Sequence, residues 1–480
     1  MMEARAETAS ETLTDSIVGT TDEIVTELVA EPTIGELLKD VRCTDCGNAE
    51  RLAFLHGDRL RWSPSLGWLQ FDNTRWRPVD ETVVAGLARG VSNQLFKQAG
   101  EESDDAGRSS MLASWGLESQ KASAIRSMVS LLRSEPGIMV DADDLDADPW
   151  LLNTGSGTID LKTGRLRTHN PRDLITKLTG AAYDPEALAP RWTIFVNEIM
   201  DGDAELVGYL QRFAGYALTG DVSEQIFLFC SGSGANGKSV LLEVLASVLG
   251  DYATPLSPQA LVVKHDATTN ELASLRGARL AYCAEIEAGK VLDAGLMKSL
   301  TGGDSFRVRH LYKEYFTLKP QAKLAYNANG QPRVRDNSFG FWRRCRHVPF
   351  NVSFTGERCD PRLREKLEAE RSGILNWMLA GLRMWLESGL REPESVRIAT
   401  SEYRDDQSVI RAFLDESTRN TPGLCVPLAE LHTEYQEWAK RSGERGMTNR
   451  RLKRELEQAG LTTRKGVIGV LVEGLTLDQR

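Results

Sequence analysis

Apolar positions along this 480-residue chain change their spacing several times, and each change predicts a different element. Trp62, Trp68, Phe71 and Trp76 sit in short apolar stretches broken by Ser63-Pro64, Gly67 and Asp72-Asn73, which predicts a small β-meander with the tryptophans in its core. Leu112 to Leu132 has helical spacing. Thr158 to Leu161 and Arg165 to Arg167 flank Lys162-Thr163-Gly164, a β-hairpin turning at the glycine. Trp192 to Leu218 is again helical. Near Gln225 the pattern becomes a continuous apolar run, Ile226 to Cys230, as a parallel strand covered on both faces requires. This opens an α/β unit that closes at Val348-Pro349-Phe350. Leu363 to Leu386 is helical, Arg391 to Pro393 is a connection, and a last small domain is expected from Ser401. In it, Leu428 to Lys440 and Thr448 to Ala459 predict two helices, the second capped by Thr448, and Leu461 to Val472 a hairpin turning at Lys465-Gly466.

The expected organisation is an acidic flexible tail over 1–39 and an α+β domain over 40–190. A parallel-sheet unit with its leading helices follows over 191–352, then a helical connection over 353–400 and a C-terminal domain over 401–480. The composition, 41% hydrophobic and 26% charged, suits several globular domains. Seven cysteines without framework spacing point to a reduced, intracellular protein, and the lone Cys43-x-x-Cys46 pair lacks partners for a zinc site. No apolar run is long enough to span a bilayer, and Glu3 and Glu7 follow Met1 where a leader would be basic and then apolar. A cytoplasmic protein without a membrane partner is expected. The net charge of -10 argues against a surface that coats nucleic acid, but not against a local basic channel.

Candidate chemistry begins where the apolar strand ends. Gly232-Ser233-Gly234-Ala235-Asn236-Gly237-Lys238-Ser239 has the form G-x-x-x-x-G-K-S between a predicted strand and a predicted helix. Backbone N–H groups freed by the glycines and the helix N-terminus would cradle phosphates. Lys238 would reach the terminal phosphates, and Ser239 would give an oxygen to magnesium. The alternative, a chance glycine-rich turn, fits the flanking elements less well. Arg279 to Glu287 is a short apolar strand ending in Glu285 and Glu287, which period two would place on one face. One acid would hold the metal and the other orient water, unless both simply end a strand in solvent.

From Gly303 to His347 the sign of the charge inverts. Arg307, Arg309, His310, Lys313, Lys319 and Lys323 far outnumber Asp304, Glu314 and Asp336, as a polyanion channel needs. Tyr312, Tyr315 and Phe316 lie among them and would either stack on bases or pack a hairpin. A further strand ends at Asn327 and Asn329, where an amide can sense a terminal phosphate and hold water. Arg343 and Arg344 offer guanidinium groups to a phosphate on a neighbouring subunit, or alternatively form a surface pair for DNA or acids.

Taken in order, GSGANGKS, RLAYCAEIE, KSLTGGDSFRVRHLY, ANGQP and FWRRCRHVPF resemble the superfamily 3 helicases, specifically the primase-helicases of phages and plasmids. DCGNAERLAFLHGDRLRWSP, DPWLLNTGSGTIDLKTGRLRTHNP and YLQRFAGYALTGD resemble the domain that precedes the ATPase in that family. The resemblance implies a P-loop, AAA+-like α/β ATPase preceded by a mainly helical domain and followed by a winged helix. It also implies ATP and Mg2+ as cofactors, a hexameric ring with sites between subunits, single-stranded and forked DNA as partners beside host replication proteins, and a bacterial host cell.

Residue by residue, the resemblance makes Lys238 and Ser239 the nucleotide and metal ligands and Glu285 the metal-site acid. Asn329 becomes the sensor, because Pro332 follows it at the family's spacing, and Arg343 or Arg344 the finger. Ile286 separates two acids that are adjacent in the family, which leaves Glu287 without an assigned role. On the second C-terminal helix Arg450, Arg451 and Arg454 would face a phosphate backbone, or form an ordinary solvated face. The only candidate acids for primer synthesis, Asp141 and Asp143, lead directly into the domain before the ATPase, so none is expected. The leading expectation is an ATP-driven replicative helicase. Its rivals are an ATP-switched origin-recognition or loader protein and an AAA-like remodeller that does not act on nucleic acid.

Overall fold

The computed structural model describes residues 42–102, 104–263, 269–287, 289–309, 314–466 and 469–477. The acidic tail expected over 1–39, His310, Tyr312 and Lys313 lie outside them. The N-terminal unit starts with the helix Asp45–His56, capped by the Thr44 hydroxyl, followed by the expected meander of β1 (Leu60–Ser63), β2 (Gly67–Phe71) and β3 (Trp76–Pro78). Trp68 and Trp76 are buried in it. Helices Glu81–Glu101, Ala106–Glu118 and Ala122–Leu132 complete this unit around Leu52, Val91, Leu95 and Leu132. The single helix expected over Leu112 to Leu132 is thus two, broken at Ser119 to Lys121.

A small antiparallel sheet of β4 (Leu151–Thr154), β5 (Gly157–Asp160) and β6 (Arg165–Arg167) contains the expected hairpin. Helices Pro190–Ile199 and Ala204–Tyr216 follow, separated by a turn in which Asp201 and Gly202 take positive φ and Asp203 caps the second helix.

The chain then builds its central sheet. After β7 (Phe227–Ser231) come the helix Lys238–Leu249, β8 (Ala253–Leu256), β9 (Leu280–Glu285) and the helix Ala294–Gly302. A short hairpin of β10 (Phe306–Val308) and β11 (Phe316–Leu318) precedes β12 (Lys323–Ala328), the turn of helix Phe339–Trp342 and β13 (Cys345–Pro349). The sheet runs β13-β7-β12-β9-β8, and every neighbouring pair is parallel. The unbroken apolar run of β7 divides between two layers. Leu228 and Cys230 pack with helices Ala204–Tyr216, Lys238–Leu249 and Arg371–Ser388. Phe227 and Phe229 pack on the other face with Tyr326, Phe341, Trp342 and Tyr403. Two-sided burial explains why this strand shows no alternation in sequence.

The base of the sheet, at the N-terminal ends of β9 and β12, is closed by two buried cations. Arg279 donates to the carbonyls of Leu218 and Leu151 and lies 4.5 Å from the Tyr252 ring centroid. Lys323 donates to the carbonyls of Thr219 and Gln321 and lies 4.6 Å from the Tyr216 ring centroid. Lys323 therefore leaves the basic stretch in which sequence placed it: the residue is 2% exposed, and its ammonium ties the end of the leading helices to the sheet.

Past the sheet, helices Leu363–Ala369 and Arg371–Ser388 return to the first layer. The helix Glu394–Asp406 spans the boundary expected at Ser401, because Tyr403 belongs to the sheet core. A separate apolar core begins at Ile410. It comprises helix Val409–Ser417, β14 (Thr418–Pro427), helices Leu428–Arg441 and Asn449–Gln458, β15 (Thr463–Gly466) and β16 (Gly469–Leu477). The order in its sheet is β14-β16-β15. Thr448 caps its helix as expected, Lys465 and Gly466, expected at the hairpin turn, are instead paired within β15, and β14 is an element the sequence pattern did not indicate. Among the described residues no helix is long and apolar enough to cross a membrane.

Two predictions follow from this packing. Helices Ala204–Tyr216 and Arg371–Ser388 touch backbone to backbone, and a Cβ on Gly381 would land on the Gln211 carbonyl. Gly381→Ala should cost roughly 1–3 kcal/mol in urea denaturation, as overpacking does. Gly208→Ala, whose nearest neighbour is the flexible Arg212 tip at 3.4 Å, should cost nothing measurable. The second concerns Lys323, whose ammonium burial pushes well below 10.5, with Arg279 adding to the effect and Asp221 opposing it. Between that lowered value and 10.5 the folded state binds fewer protons than the unfolded, so this group makes stability rise with pH. Urea midpoints of Lys323→Met should therefore gain less than those of wild type as pH is raised toward 10.5.

Candidate nucleotide site

The C-terminal ends of β7, β12 and β9 lie side by side, and the candidate residues issue from them. This is where open parallel sheets bind ligands. From β7 the loop Gly232 to Gly237 turns into the helix beginning at Lys238. Gly234, Ala235 and Gly237 take φ of 103°, 49° and 84°. A Cβ at Gly237 would also meet Ile199 at 2.5 Å and Phe195 at 3.2 Å, so sterics and backbone both demand glycine there. Segment 350–354 braces the loop from outside: Phe354 N–H donates to the Ala235 carbonyl at 2.7 Å. Ser233, Ala235 and Ser239 are exposed along the loop, whereas Asn236 is buried beneath it.

Lys238 is 4% exposed. Its ammonium donates to the Gly232 carbonyl at 2.8 Å, to Asn236 Oδ1 at 3.0 Å and to Asn329 Oδ1 at 3.2 Å. All three acceptors are neutral, and among the described residues Lys238 forms no ion pair. Burial pushes the ammonium below the ordinary lysine value, while the neighbouring Cys230 and Glu285 oppose that shift. The helix behind it has no side-chain cap at its N-terminus, so the N–H groups of its first turn add positive potential at the same point.

Asn329 joins the parts. Its Oδ1 accepts from Lys238 and its Nδ2 donates to Glu285 Oε1, so the loop of β7, the end of β12 and the end of β9 form one chain of contacts. Glu285 ends its strand with an exposed carboxylate. Glu287 does not share its face: the strand stops at Glu285, Ile286 turns inward and donates its N–H to the Asn327 carbonyl, and Glu287 pairs with Lys290 at 3.4 Å in solvent. Period two fails because the strand ends before it would apply. Asn327, read as a companion of Asn329, is buried with an Oδ1 that has no hydrogen-bond partner among the described residues.

The remaining candidates lie elsewhere. Arg343 and Arg344 precede β13, at the opposite end of the sheet from the loop, where Phe227 N–H donates to the Arg344 carbonyl at 2.9 Å. Arg343 is exposed and reaches Gln225 Oε1 at 2.6 Å, whereas Arg344 is half-buried and turned back onto the Gly340 carbonyl. The β10–β11 hairpin carries exposed Arg307 and Arg309, whose guanidinium carbons lie 5.1 and 4.7 Å from the centroid of Tyr315, itself 46% exposed. Phe316 is buried and packs instead of presenting a face, while Lys319 is exposed.

In the C-terminal unit Arg450 and Arg454 are exposed one helical turn apart, Arg451 is paired with Glu455 at 3.6 Å, and Leu452 and Leu456 are buried. An open cleft of about 780 Å³ in the same unit, between β14 and β16, is remote from the phosphate-type loop and brings together none of the candidate residues. Sequence also gave no sign of a buried link beside the loop. Ser231, which precedes it, bonds to His347 Nε2, and His347 Nδ1 lies 3.0 Å from the Ala399 carbonyl.

Comparison with known proteins fits this layout. Residues 49–201 match the family described as D5 N terminal like, and residues 230–344 match a family of unknown function (DUF5906). The provisionally named helicase L207/L206 of Acanthamoeba polyphaga mimivirus is 30% identical over 325 residues, 62% of this chain and 34% of that protein. The provisionally named helicase 022R of Frog virus 3 is 27% identical, over 50% of this chain and 27% of its own length. The provisionally named primase C962R of African swine fever virus is 24% identical, over 67% of this chain and 36% of its own. The chain spans about a third of the length of these curated relatives. All are proteins of large DNA viruses, so they lend no support to the expected phage, plasmid or bacterial setting. Among solved structures, the apo C-terminal region of NrS-1 shares the fold with a TM-score of 0.50 at 11% identity, over 86% of this chain and 94% of that one. Residues 49–201 thus carry a D5 N terminal like domain that leads into a five-stranded parallel sheet, and the relatives of this chain bear provisional helicase and primase names.

Proposed function

We propose that this chain is an ATP hydrolase that drives a replicative DNA helicase, with each nucleotide held between two copies. One observation supports this above all. Lys238 is an ammonium almost wholly out of water, bonded only to neutral oxygens, beside an uncapped helix N-terminus. A buried cation without a counter-ion is costly, and a triphosphate supplies the missing charge where the backbone N–H groups converge. Gly232 to Gly237 would cradle the phosphates. The Ser239 hydroxyl and the Glu285 carboxylate are the hard oxygen donors that suit Mg2+, which when bound would neutralise charge on the phosphates. Glu285 would orient the attacking water, and Asn329, bonded to both Glu285 and Lys238, would report whether a terminal phosphate is present.

The order of the sheet supports a P-loop, AAA+-like ATPase: counted from β7, its strands run fifth, first, fourth, third, second. Arg343 stands at the far end from its own loop, and only in a neighbouring copy can such a guanidinium reach a phosphate, as in a ring, which the resemblance makes hexameric. Arg343 suits that role better than Arg344 because Arg343 is exposed, whereas Arg344 is half-buried and turned back onto the Gly340 carbonyl. Single-stranded DNA would meet the β10–β11 hairpin, where Tyr315 offers a ring and Arg307, Arg309 and Lys319 offer cations. The C-terminal unit suits a winged helix whose exposed Arg450 and Arg454 would contact backbone phosphates.

ATP hydrolysis and forked-duplex unwinding should disappear in Lys238→Ala while the melting temperature stays near wild type. Glu285→Gln should still bind ATP but hydrolyse it roughly 10²-fold or more slowly. Single-stranded DNA should stimulate the wild-type rate, as a motor requires and a loading switch does not. Hydrolysis that survives Lys238→Ala would remove the basis of the proposal.

A further inference from the structure

The hydrogen-bonding side chain of Asn329 is carried by an exposed residue, so its position depends on what holds the segment after it. That segment, Gly330 to Val334, is fastened on two sides. On one, Arg333 N–H donates to the Lys290 carbonyl at 2.7 Å and Leu292 N–H donates to the Arg333 carbonyl at 2.9 Å, tying it to the chain that follows Glu285. On the other stands the end of helix Glu394–Asp406. The Tyr403 hydroxyl donates to the Pro332 carbonyl at 2.7 Å, Gln331 Nε2 donates to Asp406 Oδ2 at 3.2 Å, and Val334 N–H donates to Gln407 Oε1 at 3.0 Å.

Tyr403 is rigidly set. It is wholly buried, and its ring centroid lies 5.1 Å from that of Phe229, 5.2 Å from Trp342 and 5.7 Å from His347. The same helix also holds the other side of the site. His347 N–H donates to Thr400 Oγ1 at 3.0 Å, His347 Nδ1 lies against the Ala399 carbonyl, and Nε2 meets Ser231, the last residue before the loop. One helix thus touches the chain at both the entry to the loop and the exit from Asn329. Only Ser408 separates Gln407 from helix Val409–Ser417, the first element of the C-terminal unit.

We infer that Tyr403 and Gln407 are positioning residues for Asn329, and that through them helix Glu394–Asp406 ties the geometry of the candidate site to the C-terminal unit. The inference rests on the proposed hydrolysis for its effect on rate, but not for the clamp itself. Tyr403 and Gln407 bond to the Pro332 carbonyl and the Val334 N–H, so they act through the backbone that presents Asn329, and small errors of placement are expensive in catalysis.

The test uses the full chain and three variants: Gln407→Leu, which removes the acceptor; Gln407→Glu, which keeps one; and Tyr403→Phe, which removes only the hydroxyl. Amide hydrogen exchange at Val334 reads the clamp without turnover. In Gln407→Leu that protection should be lost and kcat for ATP should fall roughly tenfold or more. KM should stay within about twofold, because binding is untouched. Gln407→Glu should restore both, and Tyr403→Phe should lower kcat in the same way without altering the melting temperature. Unchanged protection at Val334 in Gln407→Leu would overturn the inference. So would lost protection with kcat within about twofold of wild type. A wild-type chain that hydrolyses no ATP yet shows Gln407-dependent protection would confirm the clamp and count against the proposed activity alone.

Discussion

A lysine held out of water by three neutral oxygens sets the conditions for everything around it. Lys238 cannot be neutralised by the groups that satisfy its hydrogen bonds, because Gly232, Asn236 and Asn329 supply dipoles and no charge. The one carboxylate in the network, Glu285, reaches it through the amide of Asn329. Such an arrangement is electrostatically incomplete, and the helix N-terminus behind it deepens the deficit. The glycines that let the loop close and the bracing by Phe354 hold this arrangement in place. This suits the proposed binding of a highly charged anion, and the three contributing strands are joined by Asn329, the residue proposed to sense it.

The sheet has two ends with different duties. At its N-terminal end Arg279 is buried against the carbonyls of Leu218 and of Leu151 in the preceding domain, and Lys323 against that of Thr219, just after the leading helices. Beyond this seam lie Arg343 and the hairpin bearing Tyr315, both exposed. At its C-terminal end lies the candidate site, and helix Glu394–Asp406 grips the chain there before passing into the C-terminal unit. A change at Asn329 thus has a direct mechanical route to that unit, whereas under the proposed function a change in Arg343 is read by a neighbouring copy.

How much of this was legible in sequence depended on the range of the interaction. Local signals served well. The apolar run of β7 foretold a strand covered on both faces, the glycine-lysine-serine pattern foretold a strand–loop–helix turn, and Thr448 foretold a helix start. Signals that need the fold did not. Glu287 was placed with Glu285 by strand periodicity, but the strand ends at Glu285 and Ile286 is drawn into the core. Lys323 was counted as an exposed cation because nothing in its neighbours announces the Thr219 carbonyl that captures it from a hundred residues away. The boundary at Ser401 failed because Tyr403 packs on the sheet core, not on the core that follows. Tyr403 and Gln407 themselves carried no motif, since their partners are backbone groups brought together only by the parallel sheet.

The account stands or falls on whether the site is completed by a second copy. The most direct measurement mixes Lys238→Ala and Arg343→Ala chains and follows ATP hydrolysis across mixing ratios. Each variant alone should be inactive. Mixed rings should regain activity, because some interfaces then pair an intact Lys238 loop with an intact Arg343 from the neighbour. If the two variants co-assemble but no ratio restores hydrolysis, the site is not shared between copies as described.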